Sequence, residues 1–92
     1  MNKALILQLV KESIGIRNSV RDVYLEAIID GVIKELEDEK GLILDGTNSN
    51  QLIFIVDYVS WRFGSGEEKS GMPRHLQFRL HNLMIHNGSV VV

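Results

Sequence analysis

The sequence predicts an all-α fold, a compact bundle of about four helices with a short flexible C-terminal tail. Three observations point there. Apolar residues recur three and four positions apart through most of the chain, and glycine or proline separates those runs. None of the 92 residues is cysteine, which rules out a disulfide framework, a thiolate metal site and a cysteine nucleophile. With 45% hydrophobic and 24% charged residues, a chain of this length forms one helical domain, 1–92, that buries about 60 to 65% of its unfolded surface.

Helix 1 is expected from Lys3 to Ile14, capped by Asn2, with Leu5, Ile6, Leu9 and Val10 on one side and Gly15 as its stop. Ser19 is read as the cap of helix 2, and Asp22, three residues on, completes a capping box. Along that helix Tyr24, Leu25, Ile28, Ile29, Val32, Ile33 and Leu36 form the apolar stripe. Gly31 interrupts it at a cost of roughly 1 kcal/mol and suggests a close helix crossing. Gly41 ends the helix, Leu42, Ile43 and Leu44 make a short extended segment under the bundle, and Asp45 to Asn48 form a turn.

Helix 3 starts after Asn48 or Ser49 and runs to Gly64. It is apolar nearly all round, so it reads as the central helix, although its β-branched and aromatic content also suits a buried strand. The run from Gln51 to Phe63 carries more apolar surface than one small bundle easily hides, which suggests a partner. Residues 64–71 have the composition of a mobile loop, and Pro73 suits the first turn of helix 4. Leu76, Leu80, Leu83 and Met84, with Phe78 beside them, form its buried stripe, and the helix ends near Asn87. The expected core is Ile28, Ile29, Val32 and Leu36 from helix 2, Leu52, Val56 and Trp61 from helix 3, and Leu76, Leu80 and Leu83 from helix 4. Trp61 is expected to anchor it.

Net charge is only −2, which argues against a general nucleic-acid binder, but the charges are segregated. Residues 1–21 sum to +3, residues 22–45 to −6 and residues 46–92 to +1. This arrangement suits faces of opposite sign that meet between subunits, with Glu35, Glu37, Asp38 and Glu39 of one copy against Arg17, Arg21 or Arg74 of the next. The alternative is the solvated face of an amphipathic helix. The N-terminal apolar run is broken by Gln8, Lys11 and Glu12 before it reaches the length of a signal core or a membrane span, so neither is expected.

No reacting group has a partner at a usable spacing. His75 and His86 share a helical face but stand about 16 Å apart, too far for one metal ion, and His81 lies on another face. Ser13, Ser19 and Ser60 have no activating context, and Ser19 lies in Asn-Ser-Val rather than the Asp-Ser-Leu that a carrier protein uses to hold its prosthetic group. No cofactor, metal or catalytic residue is predicted. A helix-turn-helix reader remains as an alternative, with Arg74, His75, Gln77, Arg79, His81 and Asn82 of helix 4 as its recognition helix.

Three motifs together resemble the head-tail connector (adaptor) family of tailed bacteriophages and prophages, often described as DNA packaging proteins. They are the aspartate-led helix from Asp22 to Asp30, the Tyr58-x-x-Trp61-Arg62 end of helix 3, and Met72-Pro73-x-x-Leu76-x-x-x-Leu80. The resemblance spans most of the chain. It implies a non-enzymatic helical protein that assembles as a homo-oligomeric ring beneath the portal protein and receives the tail or its stopper. DNA would pass through without being read in sequence. The protein would reside at the head-tail interface of the virion, and in the bacterial host cytoplasm before assembly. The tail carrying Val90, Val91 and Val92 would add a strand to the portal, and it and the 64–71 loop would become ordered on docking.

Overall fold

The computed structural model describes residues 1–65 and 72–87. Four α-helices follow in order: α1 (Lys3–Ile14), α2 (Asp22–Lys34), α3 (Ser49–Ser65) and α4 (Arg74–Asn87). A π-helical turn, Glu35–Glu39, continues α2. The fold is the expected all-α bundle. The expected loop at residues 64–71 begins later than predicted, because α3 carries through Gly64 to Ser65, and its remainder lies outside the described residues, as does the 88–92 tail.

Local signals explain most of the helix ends. Asn2 Oδ1 accepts the Leu5 amide at 3.1 Å, which satisfies one of the unpaired donors of the first turn of α1. Gly15 adopts φ 77° at the other end, where a side chain would be strained, and Ile16 N–H closes onto the Lys11 carbonyl at 2.9 Å. The start of α2 differs from expectation. The helix begins at Asp22, its cap is Arg21, and no side chain caps it, so the Ser19–Asp22 capping box does not form. Asp22 instead accepts a 2.8 Å ion pair from Lys11 of α1. A tertiary contact has taken the carboxylate that the local motif would have used, and Asp22 still lies at the positive end of the helix dipole.

At the far end of α2, Lys40 N–H bonds to the Glu35 carbonyl at 3.1 Å, and Gly41 (φ 65°) turns the chain away. Leu42 is buried and Leu44 packs on the core, while Ile43 between them faces outward, the alternation of an extended segment. Asp45 Oδ1 accepts both the amide (2.9 Å) and the hydroxyl (2.7 Å) of Thr47, which fixes the predicted turn. These bonds, the amide foremost, hold the Asp45 carboxyl below its ordinary pKa.

The central position of α3 resolves its ambiguous composition. Both α1 and α2 pack on it and on each other, and α4 rests on α3 alone among the helices. Phe54, Ile55, Val56, Tyr58 and Val59 are buried on α3, and within the run from Gln51 to Phe63 only Ile53 and Arg62 are exposed. The apolar run is therefore largely hidden by the chain's own helices, contrary to the expectation that it demands a partner.

Of the predicted core, Ile29, Val32, Leu36, Val56, Leu76, Leu80 and Leu83 are buried, whereas Ile28, Leu52 and Trp61 are half-buried at its edge. Trp61 stacks on Tyr58, with ring centroids 6.0 Å apart and planes 20° apart. It covers the core rather than filling it. Trp61→Ala is accordingly expected to cost about 2 to 3 kcal/mol, below the range for a fully buried tryptophan. Chemical denaturation checks this, and a loss above about 4 kcal/mol would return Trp61 to the core. Gly31 also departs from its reading: it is exposed, and a methyl group added there meets nothing within 4 Å, so no close crossing within the chain requires it.

Candidate assembly surface

The segregated charges are partly consumed inside the subunit. Lys3 of α1 pairs with Asp30 of α2 at 2.8 Å, alongside Lys11 with Asp22, so the basic first helix lies against the acidic second one. Arg79 of α4 holds Asp57 of α3 at 2.6 Å, and its guanidinium lies 5.7 Å from the centre of the Phe54 ring. These are intrachain clasps that linear charge sums could not distinguish from interface charges.

Glu35 is likewise committed internally. The Tyr58 hydroxyl donates to Glu35 Oε2 at 2.7 Å, Arg62 approaches Glu35 Oε1 at 3.6 Å, and the Arg62 guanidinium lies 5.9 Å from the Tyr58 ring centre. Burial, reinforced by the hydrogen bond to Glu35 and by its negative charge, pushes the Tyr58 hydroxyl up to about 12, with Arg62 opposing in part. Glu35 thus ties the π-helical turn to α3. It leaves Glu37, Asp38 and Glu39 exposed, with no ion pair among the described residues.

The direction of the Tyr58 shift gives a pH prediction. A folded-state pKa above the unfolded value of 10.0 means that the contribution is complete below pH 10 and is lost as pH rises through about 12. The loss is expected at up to about 1.4 kcal/mol per pH unit. Tyr58→Phe should be about 1 to 2 kcal/mol less stable at neutral pH, and this gap to wild type should shrink between pH about 9 and about 11.5. Urea midpoints of both proteins test it; a gap that stays constant with pH would show that the hydroxyl is not held in this way.

Among the predicted basic partners, Arg17, Arg21 and Arg74 are all exposed. Arg21 lies 6.0 Å from the centre of the Phe63 ring, which itself packs on Tyr24 at 5.8 Å. Beside it Val20 and Val23 are 81% and 80% exposed, and on α4 Phe78 and Ile85 are 67% and 64% exposed. Phe78 was expected beside the buried stripe. It lies seven residues before Ile85, on the face opposite Leu76, Leu80 and Leu83, and that spacing was the available sequence signal. Val90, Val91 and Val92 lie outside the described residues.

The sequence reading missed Gln51 altogether. It is fully buried, accepts the Asp45 amide at 2.7 Å through Oε1, and donates through Nε2 to the Ile43 carbonyl at 2.9 Å. It fastens the 42–45 segment to α3. No His, Cys, Asp or Glu side chains gather in threes to hold a metal ion among the described residues, and none of the described helices is long and apolar enough to cross a membrane. No family model, curated protein or solved structure matches this chain.

Proposed function

We propose that this chain is a non-enzymatic structural protein of a tailed phage or prophage, a subunit of a connector ring between portal and tail. The observation that carries the reading is a surface that leaves Val20, Val23, Phe78 and Ile85 in water, since apolar residues this exposed gain most from a protein neighbour. Two further features support it. The α2 axis has exposed bases at its start and exposed acids at its end, and the chain carries the connector-like motifs around Asp22, Trp61 and Pro73. The DNA-reading alternative has less support, because Arg79 is held by Asp57, Gln77 donates to the Met72 carbonyl at 2.6 Å, and Phe78 stands outermost on α4.

The test is to mix the purified chain with the portal protein encoded near its gene and to examine the product by electron microscopy and sedimentation. A ring seated on the portal is expected. Glu37→Lys with Glu39→Lys should weaken that capture, most visibly at low salt, while leaving the helical circular dichroism intact. Failure to bind portal, together with sequence-dependent retardation of DNA, would replace this reading with the regulator.

A further inference from the structure

The outer face of α2 has no neighbour in the subunit. Val20, Val23, Ala27 and Gly31 follow one another at three- and four-residue spacing along it, and all are exposed. Gly31 is the informative one. A mid-helix glycine costs about 1 kcal/mol, and with open space where its side chain would be, nothing in the subunit accounts for it. A small-residue centre lets a second helix approach closely, since interaxial distance depends on the side chains at the crossing.

The charges along the same helix indicate what covers this face. We propose that it packs against α2 of a second copy, antiparallel, about a two-fold axis between Ala27 and Gly31. In that register Arg21 lies opposite Glu37 of the partner subunit, Glu26 opposite Lys34 of the partner subunit, and Ala27 opposite Gly31 of the partner subunit. All of these residues are exposed in the single subunit, and each charged one meets its opposite. A parallel pair in register would set Arg21 against Arg21 and Glu37 against Glu37. Asp30, the acidic group nearest the axis, is already neutralised within its own subunit by Lys3 at 2.8 Å. A two-fold contact uses the same patch twice, so one self-complementary helix face suffices. The inference does not rest on the connector reading. It concerns the free protein, and it would hold for a regulator equally.

Sedimentation equilibrium over a wide concentration range tests it with the full chain. Wild type is expected at twice the 10.4 kDa subunit mass. Gly31→Arg should weaken dimerisation by about tenfold or more. Its melting temperature extrapolated to the monomer should not fall, because arginine is the better helix former, so loss of the dimer could not be ascribed to misfolding. Because the chain has no cysteine, Ala27→Cys and Gly31→Cys chains can be mixed and oxidised cleanly. The antiparallel register predicts that the mixed disulfide exceeds both symmetric ones. A wild type that stays monomeric, a Gly31→Arg dimer as tight as wild type, a statistical mixture of disulfides, or a mass well above the dimer would each overturn the proposal. The last would point to head-to-tail association instead.

Discussion

Phe54→Ala is expected to cost about 3 to 5 kcal/mol, against a total of about 5 to 14 kcal/mol for a chain of this size. Phe54 is fully buried at the middle of α3. Its ring packs against Tyr58 at 5.8 Å and beneath the Arg79 guanidinium, so it joins the core to the helix that rests on α3 alone. An open groove lined by Asn48, Asn50, Ile53, Arg79, Asn82 and Leu83 already lies beside it. Truncation would extend that groove into the core, and the surroundings, themselves parts of helices, could collapse only partly. Urea unfolding followed by circular dichroism measures the loss. Phe54→Leu, which keeps most of the volume, should cost about 1 to 1.5 kcal/mol. If the alanine variant lost no more than the leucine variant, Phe54 would not be the link between α3 and α4.

The second large effect is expected at a polar residue. Gln51→Leu should cost about 2 to 4 kcal/mol although leucine is apolar and similar in size. The substitution leaves the Asp45 amide without an acceptor and the Ile43 carbonyl without its donor, and replacing only one side of each bond exposes the desolvation penalty of the other. Leu42, buried just ahead of Ile43, should loosen with them. Amide hydrogen exchange at Asp45 should accelerate well beyond the change in global stability. Gln51→Glu separates the two bonds: its carboxylate can still accept from Asp45 but cannot donate to Ile43, so it should recover part of the stability as pH falls and the carboxyl gains a proton. If Gln51→Leu were neutral, the glutamine would be an incidental passenger in the core rather than the fastening of the 42–45 segment.

These two residues show where sequence reading reached and where it stopped. Lys3–Ile14 was legible to the residue because its ends depend on neighbours in the chain: Asn2 reaches only as far as Leu5, and Gly15 supplies the left-handed turn by itself. The stripes Ile29, Val32, Leu36 and Leu76, Leu80, Leu83 were legible because helical periodicity places residues three and four apart on one face whatever that face meets. The uniformly apolar α3 gave no face to read, so the half-burial of Leu52 and Trp61 and the exposure of Ile53 depended on where α1, α2 and α4 came to rest. The same holds for charge. Asp22 fits a capping box by spacing, but a lysine eleven positions upstream pairs with it, because packing of α1 on α2 brings that lysine within 2.8 Å. Glu35 counted as one acid among four until Tyr58, 23 residues away, donated to it. Local backbone geometry and periodicity were thus determined by the sequence alone, since both act over a few residues. The assignment of each charge to a clasp or to the open surface was decided only by tertiary structure, since ion pairs and hydrogen bonds depend on separations in space that spacing along the chain does not encode.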